Sequence, residues 1–385
     1  HTLPMRLTST MSFSLHHYYS SPMIKTSRIF PHSLPMRHVS PPSPPPPAFL
    51  FRPIRRCLSV YASRNGSSPD PAQPPLEGGG RRSEAFLRKV MEGMEAVYLD
   101  RNPTARSVLE IIRSADGPIC YDHLAFRTFG VSGHGIDAMA RLFLDYGYKQ
   151  QDELKFPAKK LKALWFSPPD YELPDENGND GGCVRGPLPR IFISELLVDQ
   201  LSPEAQEIIL KYVATSGNGY RYAALASALG SLTWEKPLYS EFLQLARESE
   251  YAAWTLVNGY ALNHVTISTH RLKSHLSNIE DLNQFLESNG FKLNSEGGVL
   301  KVSPDGGLLQ SSTVADSTTF EFSDGTVESV PCSYIEFAQR LILPQYKHLP
   351  SNEVKEFHRR DGFEVGNADK IFESTSQEQL TRRAT

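Results

Sequence analysis

Two histidines in this chain sit in similar surroundings, Tyr121-Asp122-His123-Leu124-Ala125-Phe126-Arg127 and Leu262-Asn263-His264-Val265-Thr266-Ile267-Ser268. Apolar and polar residues alternate about each histidine, which predicts a strand in both places. A glutamate follows each histidine by 72 residues: Glu195 in Ile191-Phe192-Ile193-Ser194-Glu195-Leu196, and Glu336 in Tyr334-Ile335-Glu336-Phe337. A carboxylate among such apolar neighbours is costly to bury unless a cation faces it. Arg127 or Lys301 could serve as that cation; a metal ion is the other solution. Two neutral imidazoles and one carboxylate on a rigid sheet form the facial ligand set of a mononuclear non-haem Fe(II) site, leaving positions open for a chelating substrate and O2. His123 and His264 are the candidate imidazoles, and spacing leaves Glu336 and Glu195 both open as the third ligand. No pair of cysteines among Cys57, Cys120, Cys183 and Cys332 has ligand spacing, which argues against structural zinc and a disulfide framework alike. Arg127 shares the face of His123 on a period-2 strand, ~13 Å away along it, so a planar guanidinium could grip the far carboxylate of a short substrate extending from the metal.

The elements that must carry these residues read as a duplication. Each histidine strand leads into a helix, over 136–146 and 278–289, and the helices end alike, Phe143-Leu144-Asp145-Tyr146-Gly147 against Phe285-Leu286-Glu287-Ser288-Asn289-Gly290. Glycine is the expected helix stop. Short strands follow at 154–156, 161–166 and 190–198 in the first unit, and at 291–293, 299–302, 318–322 and 334–341 in the second. A strand–helix–strands unit that occurs twice suggests two repeats, about 119–199 and 260–342, around one shared site. Between them, 202–258 reads as a helical insertion, opened by Ser202-Pro203-Glu204 and stopped by Asn258-Gly259. Ahead of the first repeat two helices are expected, with Phe86, Val90, Met94 and Val97 on one face and Val108, Ile111 and Ile112 in the second. Lys155, Lys159, Lys160 and Lys162 read as a solvated hairpin, His270 and His275 as exposed, and His134, between two glycines, as a loop residue.

The ends differ in character. The first acidic residue is Asp70, and residues 1–64 are basic and rich in Ser and Pro. That profile predicts an organellar transit peptide, and the run Pro41-Pro42-Ser43-Pro44-Pro45-Pro46-Pro47, which forbids a regular amphipathic helix, favours the plastid. Because the chain starts at His1 rather than Met, its true start is expected upstream. Residues 65–82 read as a flexible linker, 83–375 as the catalytic domain and 376–385 as a loose tail. A net charge of −3 gives no electrostatic reason to expect nucleic acid or an anionic membrane, and no apolar run reaches the ~18 residues a membrane span needs.

At Asp122-His123-Leu124-Ala125-Phe126-Arg127-Thr128-Phe129, Asn263-His264-Val265-Thr266 and Tyr334-Ile335-Glu336-Phe337 the sequence resembles the 2-oxoadipate dioxygenase/decarboxylase family, and within it the plastid-directed plant branch. The resemblance covers roughly residues 83–374. It implies an α+β fold of the vicinal-oxygen-chelate type, with duplicated βαβββ units forming a curved, partly closed sheet with added helices. It further implies Fe(2+) held by His123, His264 and Glu336, a substrate arginine at Arg127 and a looser substrate contact at Gly366 and Asn367. Glu195 is left without a family role, as a relic or an outer group. The implied reaction turns 2-oxoadipate and O2 into 2-hydroxyglutarate and CO2, a step in lysine breakdown. Two other readings compete with it. One is a different chelate-fold metalloenzyme, ring-cleaving or glyoxalase-type; the other is a plastid binding protein that kept the fold without the chemistry.

Overall fold

The computed structural model describes residues 79–169 and 186–381. The expected transit peptide, most of the expected linker, Cys57 and Cys183 lie outside the described residues. The chain is described from α1 (Gly79–Arg101), which takes in the end of the expected linker, and continues into α2 (Pro103–Asp116). Leu87, Met91, Met94 and Tyr98 form the buried stripe of α1, at the i, i+4, i+7, i+11 spacing of one helical face. The stripe is rotated from the expected one: Phe86 is exposed, and Val90 and Val97 are only half-buried. Tyr98 sets this rotation, since its hydroxyl reaches into the core and donates to the Tyr334 carbonyl at 2.6 Å.

The first repeat runs β1 (Tyr121–Phe129), α3 (Ile136–Asp145), β2 (Lys149–Phe156), β3 (Leu161–Ser167) and β4 (Arg190–Leu196). Four helices intervene: α4 (Pro203–Thr215), α5 (Ala223–Leu229), α6 (Tyr239–Glu248) and α7 (Glu250–Asn258). Ser202 caps α4 by accepting from the Ala205 N–H. The second repeat follows as β5 (Leu262–Ser268), α8 (Ile279–Ser288), β6 (Lys301–Val302), β7 (Leu308–Ser312), a hairpin of β8 (Ser317–Glu321) and β9 (Val327–Pro331), and β10 (Tyr334–Arg340). Gly147 and Gly290 stop the two repeat helices at φ 88° and 84°, a backbone state that glycine reaches without steric penalty.

Eight strands form one open, curled sheet in the order β2-β3-β4-β1-β5-β10-β7-β6. Read from the centre outward, the two halves match: β1 pairs parallel with β4 as β5 does with β10, and the outer strands are antiparallel. β1 and β5 are joined antiparallel at the middle and are buried along their whole length. α3 packs on β4 and α8 on β7 and β10, while α7 lies against β1. Beyond β10 the chain returns as α9 (Val365–Ile371), which touches β2 near one edge and β6 and β7 near the other, so it plugs the mouth of the curl. A 3-10 turn (Phe372–Thr375) and α10 (Gln377–Thr381) follow.

Three expectations are corrected here. The strand expected at 318–322 forms, but in a separate two-stranded hairpin. The turn at Asp324-Gly325 folds it back on β9, and Phe322 lies against Tyr239 and Phe242 of the helical insertion. Its place in the main sheet is taken by β7, which the sequence reading missed. Residues 377–381 are not loose either: Gln379 is buried, its carbonyl accepting from Lys292 Nζ and its side chain from the Ser295 N–H. The hairpin lysines are tied rather than solvated. Lys159 pairs with Asp369 and Glu373, Lys160 with Glu248, and Lys162 with Glu195; only Lys155 is largely exposed.

The equal 72-residue spacings do not survive the register. In the first half His123 lies opposite Arg190, and in the second His264 lies opposite Tyr334. Two residues on from those partners are Phe192 and Glu336, so Phe192, not Glu195, is the counterpart of Glu336. Glu195 lies three residues further along, opposite Thr128 and out of phase with that face. There it accepts from the Ile136 N–H at the start of α3 at 2.9 Å and pairs with Lys162. Gly135 permits that approach, since a Cβ there would come within 2.2 Å of the Glu195 carboxylate. Glu195→Ala should therefore cost the helix start about 1–2 kcal/mol, visible as a drop of a few degrees in Tm, with bound metal unchanged.

Candidate metal centre

His123, His264 and Glu336 converge from β1, β5 and β10, all buried, with one donor atom of each within 4.8 Å of the others. The Nε2 atoms of the two rings are 3.3 Å apart. Glu336 presents Oε2 to His264 at 3.1 Å and Oε1 to His123 at 3.8 Å. The inward set of both rings is fixed from behind. Asp122 faces His123 Nδ1, and Asn263 Oδ1 faces His264 Nδ1, each at 2.9 Å. An oxygen acceptor behind each Nδ1 assigns the ring proton there and leaves Nε2 as a lone-pair donor toward the centre. The residue before each histidine thus carries a signal the sequence reading quoted without using.

Asp122 is itself held by a second layer. Arg340 donates to both of its oxygens, at 2.6 and 2.9 Å, and Arg190 stands 3.5 Å away. Burial works against this carboxylate, but Arg340 and Arg190 overcome it and hold Asp122 well below the ordinary range. Arg190 also pairs with Glu356, which takes His270 and Arg271 as well. The His270 side chain is therefore buried in this ion-pair network and not exposed as expected; His275 is exposed. His134 stays in its loop, outside the site.

The charge balance of the cluster favours a cation. Burial raises the Glu336 carboxyl, but its contacts with His123 and His264 and the hydrogen bond from Gln310 outweigh it and keep the pKa below ordinary. Burial pushes the His264 imidazole down despite the pull of Glu336, so this ring is neutral at neutral pH. Neither Arg127 nor Lys301 neutralises Glu336. Lys301 Nζ donates to the carbonyls of Asn294 and Val299, and Arg127 turns to Thr375 and Phe372. A buried carboxylate facing two imidazole lone pairs is a chemical fit for a divalent metal.

Gln310 on β7 donates to Glu336 Oε1 at 2.6 Å, and Asn367 on α9 donates to Gln310 Oε1 at 3.0 Å. Asn367 is thus buried behind Gln310, one residue removed from the carboxylate, whereas Gly366 is exposed with open space around it. Neither lines the metal cavity. That cavity is about 20 Å3, bounded by the three metal candidates with Phe192, Gln310, Tyr334, Phe363, Ala368, Ile371 and Phe372. It holds about one water molecule. On the far side of Phe372 lies a larger pocket of about 250 Å3, lined by Arg127, Lys159, Lys160, Tyr251 and Thr375 among others. Arg127 is 2% exposed, with Tyr251, Trp254 and Phe372 rings 5.0 to 5.7 Å from its guanidinium carbon. Its present hydrogen bonds, to the Thr375 hydroxyl and the Phe372 carbonyl, are long at 3.1 and 3.3 Å.

A glyoxalase-superfamily protein from Ralstonia eutropha, 20% identical, superposes with a TM-score of 0.53 over 78% of this chain and 92% of its own. The two chains therefore share a fold. A family profile described as 2-oxoadipate dioxygenase/decarboxylase matches residues 85–355. A chloroplastic 2-oxoadipate dioxygenase/decarboxylase from Arabidopsis thaliana is 66% identical over 333 residues, 86% of this chain and 88% of that one. The crystal structure of the hydroxyglutarate synthase from Oryza sativa, in complex with 2-oxoadipate, is 64% identical with a TM-score of 0.76, covering 83% of this chain and all of that one. This chain belongs to the 2-oxoadipate dioxygenase/decarboxylase family.

The two layers behind the cluster make separable predictions. His264→Ala and Glu336→Ala should abolish metal binding, read by elemental analysis of the purified protein. Asp122→Asn keeps the shape but removes the charge behind His123, and should weaken metal affinity about ten- to a hundredfold in a competition titration.

Proposed function

We propose that this chain is a plastid Fe(II)-dependent dioxygenase that converts 2-oxoadipate and O2 to 2-hydroxyglutarate and CO2. The observation that carries the reading is the buried His123–His264–Glu336 cluster with Arg127 four residues from His123 on the same face of β1. Relatives named for this reaction and described as chloroplastic support it. In this reading His123, His264 and Glu336 hold the iron, which supplies the O2 chemistry that no side chain provides. Neutral His264 and ionised Glu336 give a ligand set of net charge −1, suited to a divalent ion that must also take an anionic substrate.

Arg127 takes the distal carboxylate of the diacid. A carboxylate is a far stronger partner for a guanidinium than the Thr375 hydroxyl and Phe372 carbonyl it now contacts at long range. Replacing them loosens the turn that carries Phe372. This matters because a six-carbon diacid cannot enter a cavity of about 20 Å3. Moving Phe372 joins that cavity to the larger pocket beyond, where Arg127 stands among the paired charges of Lys159, Lys160, Glu248 and Glu373. Phe192 and Phe363 then keep bulk water from the reacting end.

Anaerobic loading with Fe(II), followed by O2, should give uptake of O2 with 2-oxoadipate matched by CO2 and 2-hydroxyglutarate. Loading with Mn(II) in parallel tests the choice of metal, and uptake by the Mn(II) protein alone would overturn the iron assignment. Arg127→Ala should raise KM for 2-oxoadipate by at least tenfold while iron content stays intact, as expected for a charge-assisted contact to a remote carboxylate. Unchanged kinetics in that variant would remove Arg127 from substrate binding.

A further inference from the structure

Tyr334 opens β10, borders the metal cavity and is 1% exposed. Its ring stacks on His264, with centroids 4.6 Å apart and planes 26° from parallel. Its hydroxyl, wholly buried, has no hydrogen-bond partner, and the Nε–H of Arg127 is likewise buried and unpaired. A buried donor without an acceptor is a standing cost in a protein interior, and two near one another call for a common explanation.

The register places the two together. Tyr334 pairs with His264, which pairs in turn with Ala125, while Glu336, Thr266 and His123 form the next row of the same face. Arg127 lies two residues beyond Ala125, on the side away from Glu336. Tyr334 therefore stands between the metal row and the guanidinium. A phenol offers one O–H donor, and the group that Tyr334 and Arg127 can serve together is an acceptor able to take two hydrogen bonds from adjacent directions. A carboxylate is that acceptor.

We infer that Tyr334 is a second recognition residue for the distal carboxylate of the substrate, its Oη–H donating to one oxygen while Arg127 holds the other. The inference rests on the 2-oxo diacid reading above. It assigns to Tyr334 part of the selectivity for a diacid over a monoacid of equal length. The ring contact with His264 is a separate service, which phenylalanine retains.

The test uses the Fe(II)-loaded full chain and its Tyr334→Phe variant, with binding of 2-oxoadipate and of 2-oxohexanoate measured anaerobically by calorimetry, then turnover of both. The expected result is a loss of about tenfold in affinity and in KM for 2-oxoadipate, no change for 2-oxohexanoate, and unchanged iron content and kcat. Equal weakening for both ligands, no weakening for either, or loss of iron in the variant would each overturn the assignment. A wild-type protein that binds both ligands equally well would overturn it together with the role of Arg127. Selective binding of the diacid without turnover would overturn the reaction alone, and the variant's binding ratio would still decide Tyr334.

Discussion

Where β1 runs antiparallel to β5, Ala125 lies opposite His264 and His123 opposite Thr266, and this register brings two imidazoles 141 residues apart to 3.3 Å. A slip of one residue would turn either ring to the opposite face of the sheet. Both strands are buried along their whole length, so the slip would also expose apolar side chains and strand polar ones, which is why the pairing is tightly specified. Each half of the duplication brings a parallel neighbour to its histidine strand, and so a third side chain to the same place. The site is thus a property of the seam between two halves, and neither half contains it.

The layers behind the seam divide the electrostatic work unequally. His123 is backed by a carboxylate that two arginines hold ionised, whereas His264 is backed by a neutral amide. Arg340 also donates to the carbonyls of Arg360 and Gly362, so the group that steadies Asp122 also anchors the chain leading to α9. Glu336 is tied through Gln310 to Asn367 on that same helix. The ligand cluster and the segment that covers it are therefore coupled by two independent hydrogen-bonded chains.

Much of this was legible in the sequence because alternation around His123 and His264 is strong and both helices end in the same glycine stop. The two histidines, the two repeats and the helical insertion followed from those signals, while the choice of Glu336 over Glu195 came from the family resemblance. What was not legible depended on register or on contacts distant in sequence. Equal spacing made Glu195 look like the twin of Glu336, yet the first half is three residues shorter between histidine and equivalent position, and only pairing reveals Phe192 as the true counterpart. Strand β7 was missed because Leu308-Leu309-Gln310-Ser311-Ser312 has little alternation, and Gln310 was missed with it. His270 looked exposed because nothing near it in sequence shows Glu356, 86 residues on. The helical tail likewise takes its order from Lys292 and Ser295, far upstream.

The phenyl ring of Phe192 in the place that symmetry would give a second carboxylate has a consequence for handedness. A planar, achiral 2-oxo acid lying between the two halves would meet an ionised, hydrogen-bonded group on one flank and a hydrocarbon surface on the other. Its two sides then meet different chemistry, although the scaffold that surrounds them is nearly symmetric. A duplicated fold with a carboxylate at both positions would present two alike flanks to its guest. By breaking the pseudo-twofold relation at one residue, the chain gives its guest one polar and one hydrocarbon flank, which adds to the handedness of the L-residue scaffold in setting the configuration of a newly made stereocentre.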